Sequence, residues 1–193
     1  MSAYNGAVVE GDRAAFERDA LFATFVIGLP VCEAAIAEAR YMQACGLLRQ
    51  ELEILAQLKA VKADRRKSNG APNVASLEQS LARLYGDLSA AAHVSKHHVV
   101  QVATAWGGEV ENLPGPTNFT RHFPETDDEF ARKAYALHIY IIIRLIEELS
   151  LDLAARYDGA ALTAHEIGAV NLSVELMISE GMLESDRGEQ SGT

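Results

Sequence analysis

Hydrophobic residues recur every three or four positions over most of the chain, which is the spacing of one face of an α-helix. The pattern predicts helices over residues 13 to 29, 31 to 42, 41 to 64, 74 to 105, 126 to 157 and 163 to 182. Gly28 and Pro30 predict a kink or break between the first two helices, because proline cannot donate a helical hydrogen bond. Residues 107 to 127 hold three glycines and three prolines and predict a long irregular loop.

Two capping boxes mark where the later helices begin. Thr126 to Glu129 and Thr163 to Glu166 both combine a threonine with a glutamate three residues on, a pattern that satisfies the first free amides of a helix. Residues 185 to 193 are polar and predict a disordered tail. We therefore expect an all-α fold: one domain over residues 1 to 184, built as an antiparallel bundle of about five to six helices.

Composition narrows the classes of partner. The chain of 193 residues carries a formal charge of −10 and has a pI near 5. Binding DNA through its phosphates needs a basic face, so DNA is not an expected partner.

The apolar run from Ile139 to Ile143 is stopped by Arg144 and is far too short to span a bilayer. Cys32 and Cys45 do not form a CxxC motif, and we expect both to be reduced thiols in a cytosolic protein. These features predict a soluble, cytoplasmic protein.

A row of polar side chains is the most chemical feature of the sequence. Tyr85, Ser89, His93 and His97 follow one another at intervals of four residues, so a helix would align them. His93 and His97 have the spacing of metal ligands, but no HExxH glutamate or cysteine partner accompanies them, and no metal or cofactor is predicted. We call these four residues the polar row. It is interpreted either as a polar contact between helices or as a binding site.

Glu51 lies inside the apolar stripe of the helix over residues 41 to 64. An ionised carboxylate in that position is costly without a partner. One interpretation is a structural carboxylate that pairs with a group on the next helix, and the other is a carboxyl group at a functional site. We expect Glu51, or another polar side chain of its helix, to hydrogen-bond Tyr85, Ser89 or His93.

The order of these parts resembles bacterial helical-bundle proteins of the HEPN superfamily over roughly residues 20 to 157. The resemblance is carried by Arg-x-Glu at Arg49 to Glu51, by Tyr-x-x-Leu-Ser-x-x-x-His at Tyr85 to His93, and by the long loop and long helix that follow. It implies a four- or five-helix bundle that dimerises. Many proteins of that superfamily are metal-independent ribonucleases in toxin or anti-phage systems.

The ribonucleases of that superfamily carry an arginine followed, after four to six residues, by a histidine. Arg132 and His138 have this spacing and are the candidate catalytic residues. Their side chains point about 120° apart on one helix, so joint action would need a second helix or subunit.

Three functions follow from these patterns. The leading hypothesis is a cytosolic HEPN-like bundle that acts through homodimerisation and contact with a protein or RNA, in a toxin–antitoxin or phage-defence system. The enzyme alternative is a metal-independent ribonuclease that uses Arg132 and His138. The third is a small-molecule-binding bundle with a pocket near Glu51, Tyr85 and His93.

Overall fold

The computed structural model describes residues 13 to 63, 72 to 93, 105 to 108, 117 to 120, 125 to 157 and 162 to 181. The fold over these residues is mainly helical, as the hydrophobic spacing predicts. The elements in chain order are α1 (Arg13–Ala37), α2 (Tyr41–Lys62), a 3-10 turn (Val74–Ser76), α3 (Gln79–Ala92), β1 (Ala105–Gly108), β2 (Thr117–Thr120), α4 (Asp128–Arg156) and α5 (Ala164–Ser179). They fall into two compact units, Met1–Glu125 and Thr126–Thr193.

Helix α2 is the centre of the first unit, because both α1 and α3 pack against it. Its stripe of leucines is almost completely removed from solvent, with Leu48, Leu52 and Leu55 each at most 1% exposed. From α1, Phe25 and Ile36 are buried to the same degree. The predicted amphipathic pattern of residues 41 to 64 therefore corresponds to the core of this unit.

Helix α1 runs without a break past Pro30, so of the predicted kink or break near this residue the break is wrong. Proline removes one hydrogen bond, and the long apolar helix packed on α2 retains the rest. The helix ends earlier than predicted, at Ala37, and a turn over Glu38 to Arg40 leads into α2. Ala39 occupies the left-handed region there with φ of 55°, a conformation that a residue with a Cβ rarely adopts.

Helix α3 is shorter than predicted. Asn73 accepts a hydrogen bond from the amide of Ala75 at the 3-10 turn before it. The predicted helical end at Ala105 is wrong, because Ala105 begins a strand. β1 and β2 pair antiparallel, with Trp106 opposite Phe119, inside the segment predicted to be a loop. Tryptophan, phenylalanine and threonine all favour strands, a signal that the glycines and prolines of this segment concealed.

The second unit contains α4 and α5. The capping box predicted at Thr126 is wrong by one residue, because Asp127 caps α4 and its side chain accepts a hydrogen bond from the amide of Phe130 at 2.9 Å. The predicted capping box of α5 is confirmed, with Thr163 and Glu166 bonding each other's backbone amides. The two helices share an apolar cluster made of Ala136, Ile139, Tyr140, Ile143, Val170, Val174 and Met177. The last helix therefore packs within its own unit.

Candidate functional site

Four polar side chains of α2 and α3 meet at the edge of the leucine core. Arg49 and Glu53 are one turn apart on α2, beside the buried stripe of Leu48 and Leu52. Tyr85 lies on α3, and His93 is the residue at its C-terminal cap. Because α3 packs on α2, its polar edge faces the charged pair. We call Arg49, Glu53, Tyr85 and His93 the Arg49 cluster.

The geometry of the cluster is organised around the carboxylate of Glu53. The hydroxyl of Tyr85 donates a hydrogen bond to Glu53 Oε1 at 2.8 Å. Arg49 Nη2 forms an ion pair with the same oxygen, also at 2.8 Å. Arg49 Nε donates a longer bond of 3.4 Å to the Tyr85 hydroxyl, and the guanidinium carbon lies 5.6 Å from the centre of the tyrosine ring. Two helices are thus joined by bonds that involve a charged group, which are stronger than neutral ones.

The contact between Arg49 and His93 favours one tautomer of a neutral imidazole. Arg49 Nη1 lies 3.2 Å from His93 Nε2. A guanidinium has donors and no acceptor, so Nε2 accepts and the proton of the neutral ring is on Nδ1. His93 is exposed at this point. The cluster therefore presents an imidazole to solvent beside a guanidinium.

The charge of Arg49 is stabilised by its partners. Its hydrogen bond to Tyr85, and then the hydrogen bond and charge of Glu53, raise the pKa of the guanidinium above its usual value, against the opposing effect of burial. The side chains of Arg49 and Glu53 are each 24% exposed. Such a partly shielded pair is screened less by salt than a fully exposed one.

The predicted hydrogen bond between the helix of Glu51 and the polar row is confirmed for Tyr85 and His93. Their partners are Glu53 and Arg49 rather than Glu51. Ser89 is half-buried on α3, and His97 lies outside the described residues. Arg49 and Glu53 were missed as site residues, although their separation of four residues beside an apolar stripe is the signal of a charged pair at a helix interface.

Glu51 is directed to the opposite neighbour of α2. The carboxylate is 5% exposed, and the Cys32 thiol of α1 donates a hydrogen bond to it. Burial first, and then the charge of Glu51 and this bond, raise the pKa of Cys32. Burial also raises the pKa of Cys45. Both thiols therefore stay protonated at neutral pH, which makes them poor nucleophiles and poor metal ligands in this state.

The two residues of the Arg-x5-His pattern occupy different environments on α4. Arg132 is exposed, whereas His138 is completely buried. A phosphodiester cannot approach a buried imidazole unless the surrounding structure opens. A role for this pair in RNA cleavage remains a prediction.

A shallow depression lies between α1 and α2. It is lined by Thr24, Phe25, Gly28, Leu47, Gln50, Glu51 and Ile54, and its volume is about 40 Å³. That space accepts a few water molecules. The depression reaches the carboxylate of Glu51, but Tyr85 and His93 are not part of its lining.

Comparison with known proteins gives no family assignment. No protein-family model, curated protein or solved structure matches this chain.

Proposed function

We propose that this chain is a HEPN-like antiparallel helical bundle that acts in the cytoplasm as a homodimer and contacts a macromolecule. The setting we infer is a toxin–antitoxin or phage-defence system, with a protein or an RNA as the partner. No metal or cofactor is required by this proposal.

The observation that carries the proposal is the Arg49 cluster. Arg49 belongs to the Arg-x-Glu segment, and Tyr85 and His93 belong to the Tyr-x-x-Leu-Ser-x-x-x-His segment, which together carry the resemblance. They are 36 and 44 residues from Arg49 in sequence, yet their side chains are in hydrogen-bond contact. The two segments that carry the resemblance therefore contact each other through their polar side chains. Residues of a shared site must meet in this way, because function depends on the site and not on the fold alone.

The first test is the oligomeric state of the full chain. Size exclusion coupled to light scattering at micromolar concentration should give a dimer, and so should a truncation lacking residues 160 to 193. Circular dichroism of the truncated chain checks that it remains helical after losing α5. A strict monomer in the full chain would remove the main support for the proposal.

Contact with a macromolecule is tested by inducing expression of the protein in a bacterial host and measuring growth. We expect growth to slow, and His93→Ala to relieve the effect. His165→Ala is the matched control, because His165 is also exposed but lies on α5. Equal relief by both variants, or by neither, would argue against the Arg49 cluster as the contact site.

A second candidate function, metal-independent RNA cleavage, is favoured by the Arg49 to His93 contact. Once Arg49 moves its hydrogen bond from His93 Nε2 to the phosphate, that nitrogen can take the proton of a ribose 2′-hydroxyl while the hydroxyl oxygen attacks the adjacent phosphorus and the 5′-oxygen leaves. A guanidinium beside it would stabilise the negative charge of the transition state. The products are a 2′,3′-cyclic phosphate and a 5′-hydroxyl, once the leaving oxygen has received a proton.

The two arginine–histidine pairs make different predictions for a single-stranded RNA incubated with the protein and a chelator. Loss of cleavage in His93→Ala with activity retained in His138→Ala would assign the reaction to the Arg49 cluster. The reverse result would assign it to Arg132 and His138. Wild-type protein that leaves the RNA intact would exclude the ribonuclease.

A further inference from the structure

The outer face of α1 is apolar, and the part of the chain that the structure describes leaves it exposed to solvent. Residues 20 to 32 contain no charged side chain, and the most apolar stretch of the helix, with a mean hydropathy of 2.0, is only 28% buried. Large side chains are exposed along it, with Phe16 at 67%, Val26 at 51%, Ile27 at 74% and Val31 at 54%. Contiguous apolar surface of this kind marks an interaction site in a soluble protein.

The opposite face of α1 restricts the kind of partner. By length and composition this is the one helix among the described residues that could cross a membrane. Phe22, Phe25 and Cys32, however, are at most 7% exposed on the side that packs against α2. Lipid would have to replace that contact before it could surround the helix. A protein surface that covers only the outer face leaves the contact intact.

We propose that the outer face of α1 is the interface with a second copy of this chain, in a two-fold arrangement with the two α1 helices antiparallel. The proposal rests on the homodimer of the proposed function and names the surface that forms it. Exposed residues of the face lie within about 80° of one another around the helix. They are Phe16, Ala20, Ala23, Ile27, Val31 and Ala34.

The order of large and small residues fits an antiparallel pair. A two-fold axis near position 25 sets Phe16 opposite Ala34 of the second copy, Ala20 opposite Val31, and Ala23 opposite Ile27. Every large side chain then meets a small one, as close packing of two helices requires. In a parallel pair the large residues would face each other.

Charge at the two ends of the face supports the same orientation. Arg13 and Glu38 lie about 20° apart around the helix axis and at opposite ends of the face. Within one chain Arg13 lies 3.2 Å from Glu17 and Glu38 is paired with Arg40, but the side chains of Arg13 and Glu38 are 91% and 52% exposed and stay accessible to a second copy. The antiparallel register brings Arg13 of each copy to Glu38 of the other. Opposite charges at both rims favour this orientation over the parallel one.

The first experiment measures the dissociation constant of the dimer by analytical ultracentrifugation of the full chain. Ile27→Glu would place a carboxylate near the two-fold axis in both copies, and should weaken the dimer at least 100-fold. Ile167→Glu is the matched control, because Ile167 is also exposed, at 48%, but lies on α5. That variant should dimerise like the wild type.

The second experiment tests the register by cross-linking with a short bismaleimide. Ala23→Cys places two thiols about 6 Å apart along the axis of the antiparallel pair, and Ala34→Cys separates them by about 27 Å. The native cysteines are buried and protonated, so wild-type protein is the blank. We expect efficient cross-linking in Ala23→Cys and little in Ala34→Cys.

The outcomes separate this inference from the proposed function. A monomeric wild type would overturn both. A dimer that Ile27→Glu leaves unchanged would retain the proposed function and refute the interface on α1. Equal cross-linking of the two cysteine variants would refute the antiparallel register. Flotation of the wild type with liposomes of neutral phospholipid, lost in Ile27→Glu, would replace the second copy with a lipid surface and refute the inference.

Discussion

Substitution of Tyr85 by phenylalanine removes the hydroxyl that joins α2 to α3. The ring remains over the Arg49 guanidinium, whereas the 2.8 Å bond to Glu53 is lost, together with the longer 3.4 Å bond from Arg49 Nε. A hydrogen bond to a charged group contributes about 1.5–3 kcal/mol. Glu53 keeps its ion pair with Arg49 and is partly exposed, so water replaces part of the lost bond. We expect a loss of about 1–1.5 kcal/mol in the free energy of unfolding.

Urea denaturation followed by tryptophan fluorescence measures this loss. The single tryptophan, Trp106, belongs to the same compact unit as the cluster. The variant should unfold at lower urea concentration with an unchanged m-value. A double-mutant cycle with Glu53→Leu, which has no acceptor, should give a coupling energy of about 1 kcal/mol, because each substitution removes the bond between Tyr85 and Glu53.

The reasoning is refuted if Tyr85→Phe changes stability by less than about 0.3 kcal/mol, or if its effect adds fully to that of Glu53→Leu. Either result would mean that the hydroxyl exchanges its protein partner for water at no cost, as many exposed polar pairs do.

Three further predictions concern the core, the cap of α5 and the thiols. Leu55→Ala should lower the free energy of unfolding by about 3–5 kcal/mol, because Leu55 is fully buried. Leu151→Ala, at a residue that is 56% exposed, should change it by no more than about 0.5 kcal/mol. Similar losses for the two variants in urea denaturation would contradict the described packing. Hydrogen bonds from the Thr163 amide and hydroxyl lower the pKa of Glu166, so the stabilisation of α5 is present above the usual carboxyl pKa and is lost as pH falls through the lowered value. Protection factors of the amides in the first turn of α5, corrected for the pH dependence of intrinsic exchange, should fall there, and Glu166→Gln, which has no carboxylate to titrate, should abolish that pH dependence. The two buried thiols should resist a thiolate-directed reagent at pH 8 and react in denaturant; because their pKa values are raised, stability should fall as pH rises above about 8.5.

The start of α5 was predicted most accurately from local sequence. Thr163 and Glu166 are two residues three positions apart that bond each other's backbone, so no distant contact is needed to interpret them. Pro30 misled the prediction, because a local rule takes no account of the packing that holds α1 together on α2. The hairpin of β1 and β2 was missed because pairing between strands depends on residues that are distant in sequence.

For the candidate site, the residues on α3 could be predicted from local spacing, whereas their partners on α2 could not. The spacing of Tyr85 and His93 places them on one side of a helix, and the prediction of a polar partner on the preceding helix follows from it. Which partner they meet depends on how α3 rotates against α2. In the observed orientation Tyr85 and His93 contact Glu53 and Arg49. Glu51 instead accepts a hydrogen bond from Cys32 of α1.

The three-residue turn between α1 and α2 has a consequence for how the chain folds. Helices joined so closely make contacts of low sequence separation, which form faster than contacts between distant segments. Synthesis proceeds at about 5–20 residues per second, so residues 13 to 62 leave the ribosome seconds before α4 does. We expect α1 and α2 to associate during that interval. The apolar outer face of α1 would then be exposed on a nascent chain, where polysomes hold neighbouring copies close together.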